Sequence, residues 1–128
     1  MTTKEEHYNS MMLAVQRYAP NADMDLVERA YRYADEKHKS QLRKSGEPYI
    51  IHPLAVAEIV AEMGLDTDAI AAALLHDCLE DTDASFEELS RMFSQTIAEL
   101  VEGVTKLTRV QYSTMEEQQM ENLRKMFM

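Results

Sequence analysis

Apolar residues recur at the spacing of an α-helix along most of this chain, and the first segment shows the pattern clearly. Met12, Val15 and Ala19 lie three and four positions apart, so they share one face of a helix. Pro20 cannot continue the backbone hydrogen bonding of such a helix. The pattern therefore predicts a first helix over residues 4–19.

Two further helices are predicted on either side of a loop. Asp23 or Asp25 can cap a second helix that runs to about Ser40. Pro53 suits the first position of a third helix, because that position needs no backbone N–H. Four apolar residues at helical spacing are predicted to form the buried stripe of the third helix: Val56, Ile59, Val60 and Met63.

The longest apolar run, residues 69–75, is followed directly by a polar cluster. The run has almost no β-branched residues, which predicts a helix buried on most sides and not a strand. If that helix continues, a rotation of about 100° per residue puts Glu80 about 40° from His76. The same rotation separates Asp81 from Asp77. All four side chains then project into one sector of roughly 140°.

The rest of the chain also has helical patterns. Ser85 and Glu88 form a capping box for a short helix that ends near Phe93, and Ser94 or Gln95 begins a longer one. A last helix is predicted to follow a second capping box, and its apolar stripe is expected either to cause self-association or to leave the helix frayed. The box is Thr114 and Glu117, and the stripe is Met120, Leu123 and Phe127.

Composition narrows the class of protein. A length of 128 residues suits one domain, and 45% hydrophobic residues with only three glycines and three prolines favour an all-α fold. A formal net charge of −10 disfavours nucleic acid and anionic membranes as partners. The single cysteine, Cys78, is interpreted as a small buried residue in preference to a nucleophile. With one cysteine, no signal-peptide pattern and no membrane span, the expected location is the cytoplasm.

The polar cluster predicts a metal centre when His52 is added to it. Taken alone, the cluster is equally compatible with a solvated helix end. The short link between the third and fourth helices makes them pack antiparallel, which brings His52 near His76 and Asp77. Imidazole and carboxylate ligands suit a first-row ion such as Mn, Fe or Zn.

A second candidate site is the basic loop that precedes the third helix. Arg43 and Lys44 are adjacent positive charges in an acidic chain, and Ser45 and Gly46 follow them. These residues could hold a phosphate group or stack on a base. A solvated basic turn is the alternative, and it stays open at this point.

The motifs together resemble the hydrolase domain of the RelA/SpoT family, within the HD superfamily of metal-dependent phosphohydrolases. The resemblance rests on four stretches in order: 38–53 (HKSQLRKSGEPYIIHP), 76–82 (HDCLEDT), 103–107 (GVTKL) and 122–126 (NLRKM). It covers the chain from about residue 25 onward. It implies an HD-superfamily helical bundle occupying residues 1–128 as one domain, incomplete at its C-terminal end and without synthetase or regulatory domains.

The resemblance also implies a function and roles for individual residues. The family makes and destroys the guanosine alarmones ppGpp and pppGpp of the bacterial stringent response, and its HD domain removes the 3′-pyrophosphate with Mn²⁺. By position, His52, His76 and Asp77 match metal ligands. Glu80 and Asp81 match the acidic pair that activates the attacking water. Arg43, Lys44 and Ser45 match the loop that holds the guanine nucleotide.

The sequence departs from the family pattern in one respect. The family has a fourth protein ligand, an aspartate in a later segment, which the 128 residues do not contain. The expectation from the sequence is therefore an alarmone hydrolase domain whose activity in this length of chain is weak or lost. Two alternatives stay open: an HD phosphohydrolase of another nucleotide, and a non-catalytic module that binds a nucleotide or a partner.

Overall fold

The fold was analysed in a computed structural model of the chain, which describes residues 3–42 and 46–105. Over these residues the structure is helical, with no β-strand beyond a single isolated bridge between Leu42 and Pro48. The all-α prediction is therefore confirmed. The helices are α1 (Lys4–Tyr18), α2 (Met24–His38), α3 (Ile51–Glu62), α4 (Thr67–Leu75), α5 (Cys78–Asp81), α6 (Phe86–Met92) and α7, which covers 95–105.

Side-chain caps set the start of several helices. The Asp23 carboxylate accepts a hydrogen bond from the Leu26 amide and begins α2. Ser85 caps α6 by accepting from the Glu88 amide, as the capping box predicts. Ser94 Oγ accepts from the Ile97 amide and begins α7. The sequence allowed Asp23 or Asp25 as the cap of α2, and Ser94 or Gln95 as the start of α7. In both helices the structure uses the first of the two residues.

Helix α4 lies at the centre of the described fold. It packs against α2 on one side and α3 on another, and α3 packs in turn against α1. All residues from Ile70 to Leu75 are buried, which confirms the prediction of a helix covered on most sides. The burial of six consecutive residues fixes the position of α4, so the polar residues that follow Leu75 emerge at a defined place on the edge of the core.

Helix α3 corrects two predictions. It begins at Ile51, so Pro53 occupies its third position and not its first. Proline fits there because the first few amides of a helix have no intrahelical acceptor in any case. The predicted inward stripe is confirmed only in part: Val56 and Val60 are partly buried against the core, whereas Ile59 and Met63 are 58% and 68% exposed. The fully buried face consists of Ile51, Pro53, Leu54, Ala57 and Ala61.

Two sequence predictions fall outside the described residues. They are the basic loop residues Arg43, Lys44 and Ser45, and the last helix with its stripe of Met120, Leu123 and Phe127. Among the helices that the structure does describe, none combines the length and apolar character needed to cross a lipid bilayer.

Candidate metal centre

The packing of α3 against α4 brings three predicted ligand residues together. His52 lies in the first turn of α3, and His76 is the residue that ends α4. The chain turns at His76 and Asp77 before α5 begins, so the helix is not continuous through the motif as the rotation argument assumed. Thr105 of α7 supports this turn, since its hydroxyl lies 3.4 Å from the His76 carbonyl oxygen.

The ligand atoms of these three residues form a compact group. One nitrogen or oxygen from each of His52, His76 and Asp77 lies within 4.8 Å of the others. Asp77 is central: its Oδ1 lies 3.2 Å from His76 Nε2, and its Oδ2 lies 3.6 Å from His52 Nε2. First-row metals form bonds of about 2.1 Å to such ligands, which place adjacent ligand atoms about 3.0–3.4 Å apart. The spacing of the three side chains therefore fits a metal ion.

The hydrogen bond of His76 also fits a ligand role. Its Nδ1 lies 2.6 Å from the Ala73 carbonyl oxygen. Because a carbonyl only accepts, Nδ1 carries the proton, and in the neutral ring Nε2 keeps its lone pair on the side of Asp77. A backbone carbonyl at the second nitrogen is a common device for orienting metal-bound histidine.

An apolar groove of about 400 Å³, lined by Val60, Ala72 and Val104 among others, borders the ring of His76.

Tyr49 joins this group from the loop before α3. Its hydroxyl lies 3.0 Å from Asp77 Oδ2 and 3.0 Å from Asp81 Oδ2. Burial, together with the negative charge of Asp77, raises the pKa of the Tyr49 hydroxyl. The side chain therefore stays a neutral hydrogen-bond donor at physiological pH. Tyr49 lies within the stretch 38–53 that carries the family resemblance, but the sequence pattern indicates no role for it beyond its place three residues before His52.

The predicted acidic pair lies on α5, which is a single turn. The Asp81 amide donates to the Asp77 carbonyl oxygen at 2.9 Å, so these two residues lie one above the other as the sequence predicted. Glu80 and Asp81 are both exposed to solvent. They border the ligand group without being buried in it, so a water molecule can reach both carboxylates.

Two buried side chains, His38 and Cys78, lie beneath the site on the side of the core. His38 is 1% exposed and its ring stacks on that of Tyr49, with 4.7 Å between the ring centroids. Cys78 is fully buried, and its Sγ lies 3.7 Å from His38 Nε2. Burial raises the pKa of the Cys78 thiol to about 12, and Asp77 adds to the shift. At neutral pH the thiol is therefore protonated, in agreement with its interpretation as a buried packing residue.

The ends of the predicted nucleotide loop are described, although Arg43, Lys44 and Ser45 are not. An antiparallel bridge joins Leu42 to Pro48, and the Tyr49 amide donates to the Gln41 carbonyl oxygen at 3.1 Å. Gly46 has a φ of +89°, a conformation that favours glycine. The loop therefore leaves and re-enters the fold at one point, directly beside Tyr49.

Comparison with known proteins supports the resemblance found in the sequence. Residues 30–128 match a family model described as "HD domain". The chain is 46% identical over 121 residues to the bifunctional (p)ppGpp synthase/hydrolase SpoT of Escherichia coli (strain K12), covering 94% of this chain and 17% of that protein. It is 53% identical over 102 residues to a guanosine-3′,5′-bis(diphosphate) 3′-pyrophosphohydrolase of Aquifex aeolicus, covering 80% of this chain and 14% of that protein.

A third relative is named for the synthesis reaction and not for hydrolysis. The chain is 50% identical over 115 residues to a protein of Myxococcus xanthus named GTP pyrophosphokinase, covering 88% of this chain and 15% of that protein. The chain thus spans less than a fifth of the length of these relatives. The shared region occurs in relatives named for synthesis as well as in relatives named for hydrolysis, so the site itself must indicate which chemistry this region performs.

Proposed function

This chain belongs to the HD domain family, and from that premise we propose that it carries the hydrolase site of a guanosine alarmone 3′-pyrophosphohydrolase. The substrates proposed are ppGpp and pppGpp, and the bond broken is the one that holds the 3′-pyrophosphate. Two named relatives support this substrate class: one is called a (p)ppGpp synthase/hydrolase and the other a 3′-pyrophosphohydrolase.

The observation that carries the proposal is the ligand group of His52, His76 and Asp77. Two imidazoles and one carboxylate suit a divalent first-row ion, and the proposed ion is Mn²⁺. The hydrogen bond from His76 Nδ1 to the Ala73 carbonyl leaves Nε2 available as a ligand atom. Nε2 lies 3.2 Å from Asp77 Oδ1, so the imidazole and the carboxylate can both reach one ion.

The acidic pair beyond the ligands supplies the proton chemistry in this proposal. When bound, a divalent ion lowers the pKa of a water molecule and polarises a phosphoryl oxygen. Glu80 and Asp81 are exposed and lie one turn after the ligand residues, so their carboxylates can orient the attacking water and accept its proton. Neither residue is placed in the ligand group itself.

Arg43, Lys44 and Ser45 are proposed to hold the guanine nucleotide. Their loop begins and ends beside Tyr49, which contacts both Asp77 and Asp81. A nucleotide held there would have its phosphates near the ligand group. The chain has a net charge of −10, so a local pair of cations is needed to offset repulsion of a polyphosphate. We also infer a cytoplasmic location, which the free, buried thiol of Cys78 supports.

The test is a substrate panel. Protein stripped of metal with EDTA is incubated with and without Mn²⁺ and with ppGpp, pppGpp, GTP or a cyclic dinucleotide. Release of pyrophosphate from ppGpp, slow in this length of chain, with GDP as the second product and only when Mn²⁺ is present, is the expected result. Turnover of another nucleotide alone would identify a different phosphohydrolase. Tight binding of ppGpp without any release of pyrophosphate would identify a binding module.

A further inference from the structure

Tyr49 occupies a position between two carboxylates that have different roles in the proposed reaction. Its hydroxyl oxygen lies 3.0 Å from an oxygen of Asp77 and 3.0 Å from an oxygen of Asp81. We infer that Tyr49 is a positioning residue, which fixes the water-activating carboxylate of Asp81 relative to the ligand carboxylate of Asp77. This inference rests on the proposed function, since it uses the roles assigned there to both aspartates.

The two carboxylates need such a residue because they repel each other. Both lie 3.0 Å from one phenol oxygen, so the two acceptor oxygens are no more than about 6 Å apart, where like charges repel appreciably. Ionised carboxylates can only accept hydrogen bonds, and neither can donate to the other. The neutral phenol donates between them, which compensates part of the repulsion. Without it, Asp81 would be free to rotate into solvent.

The phenol ring of Tyr49 is itself held in place by His38. The ring of His38 stacks on that of Tyr49 with an interplanar angle of 28°, and His38 is almost completely buried. His38 Nδ1 lies 3.1 Å from the Gln41 amide oxygen, so the ring has a fixed orientation as well as a fixed place. A side chain locked in this way can direct its hydroxyl at a defined point.

Gln41 adds a second restraint on the same residue. Its side-chain amide nitrogen donates to the Asp81 backbone carbonyl oxygen at 2.9 Å, while its backbone carbonyl oxygen accepts from the Tyr49 backbone amide at 3.1 Å. Asp81 is therefore held twice, at its carboxylate by Tyr49 and at its backbone by Gln41. Both restraining residues flank the proposed nucleotide loop, 43–45. The backbone that holds the loop ends thus also determines where the water-activating carboxylate lies.

The experiment compares Tyr49→Phe with Tyr33→Phe as a matched control. Tyr33 is buried, whereas Tyr49 is half-buried; the Tyr33 hydroxyl also donates to a carboxylate at 3.0 Å, that of Glu88, but lies outside the ligand group. Each variant loses one hydroxyl: Tyr33→Phe loses the contact with Glu88, and Tyr49→Phe loses the contacts with Asp77 and Asp81. Co²⁺ is the probe, because its visible absorption spectrum reports the geometry of its ligands. Thermal unfolding, Co²⁺ titration and ppGpp turnover with Mn²⁺ are measured for the wild type and both variants.

We expect the two variants to lose similar thermal stability but to differ at the metal. Tyr49→Phe should lower Co²⁺ affinity or kcat by about tenfold to a hundredfold and shift the Co²⁺ absorption bands, with KM for ppGpp changed little. Tyr33→Phe should match the wild type in Co²⁺ affinity, Co²⁺ spectrum and kcat. Should Tyr49→Phe fail to fold, Gln41→Met removes the second restraint on Asp81 and should lower kcat in the same direction.

The possible outcomes separate this inference from the proposed function. A wild type that binds no Co²⁺ overturns both. A wild type that binds Co²⁺ but releases no pyrophosphate from any nucleotide overturns the proposed reaction, and the Co²⁺ affinity and spectrum of Tyr49→Phe then decide the positioning role. A Tyr49→Phe variant that equals Tyr33→Phe in Co²⁺ affinity, spectrum and kcat overturns the inference and makes Tyr49 a packing residue.

Discussion

The imidazole rings of His52 and His76 lie edge to face, with 5.7 Å between their centroids, although they belong to different helices. Asp77 lies within reach of both rings, 3.2 Å from one and 3.6 Å from the other. Three ligand atoms are thus brought together by one helix pair, α3 and α4. These three side chains are positioned by the packing of two helices whose buried faces are apolar, with Asp77 in the turn that follows α4.

Asp77→Asn should abolish tight metal binding while the fold remains. The substitution keeps the shape of the side chain but removes the only negative charge of the ligand group, so affinity for Mn²⁺ should fall by at least about a hundredfold. Isothermal titration with Mn²⁺ measures the affinity, and circular dichroism verifies the helices. Asp83→Asn is the control, because Asp83 is an exposed carboxylate two residues past α5 that pairs with Lys37. Equal Mn²⁺ affinity in both variants would show that the site is wrongly placed.

Stability should fall in alkaline solution, and Tyr31 should contribute to the fall. Its burial in α2, with Asp35 nearby, raises the pKa of its hydroxyl from 10.0 to about 12. Above pH 10 the unfolded chain loses this proton while the folded chain keeps it, so the free energy of unfolding decreases as pH rises toward 12. The stabilisation is complete below pH 10. Tyr31→Phe should therefore make the free energy of unfolding depend less steeply on pH between pH 10 and 11. The change in slope should correspond to up to about one proton.

Urea titrations of wild type and Tyr31→Phe at pH 8, 10 and 11 test this expectation. The values at pH 8 give the effect of losing the hydroxyl from a ring that stacks on Tyr8. The change in slope above pH 10 isolates the titration. Parallel stability curves for the two proteins over the whole range would contradict the prediction.

Helix ends could be predicted from the sequence where a side chain caps a backbone amide. Asp23, Ser85 and Ser94 each accept a hydrogen bond from the amide three residues later, and the spacing of such pairs is visible in the sequence. The inward face of α3 could not be predicted in the same way. Apolar residues lie nearly all round this helix, so hydrophobicity does not distinguish Ile59 from Ala57, and the close approach of neighbouring helices decides.

The candidate site likewise has some contacts that the sequence predicts and others that it does not. The proximity of His52 to His76 follows from two helices joined by a short link, which is a property of the sequence. The contacts of Tyr49 do not, because they join residues 28 and 32 positions apart through the conformation of a loop. The contact of His38 with Tyr49 is a second example, because it depends on where the end of α2 meets that loop.

Arg43→Ala should weaken nucleotide binding more than Lys39→Ala. Both substitutions remove one positive charge from the same stretch of chain, but Lys39 is exposed and pairs with Glu36. An arginine that stacks on a base or binds a phosphate through two hydrogen bonds contributes enough for a loss of about tenfold to a hundredfold in affinity. Calorimetric titration of both variants with ppGpp measures the difference. Equal affinities would favour the solvated basic turn.

Glu80→Gln should show that the acidic pair acts in turnover and not in metal binding. Glu80 is exposed on α5 and is not one of the three residues whose ligand atoms converge. The substitution removes a base without removing a ligand, so Mn²⁺ should bind as in the wild type while turnover of ppGpp falls by about a hundredfold or more. Glu87→Gln is the matched control, since Glu87 is an exposed glutamate in the first turn of α6. It should change neither quantity.

Metal content and turnover measured on the same samples distinguish a base from a ligand at this position. Full Mn²⁺ binding with slow turnover is the result expected of a base. A loss of Mn²⁺ as large as that of Asp77→Asn would instead make Glu80 a ligand and reverse the roles assigned to the two ends of the motif.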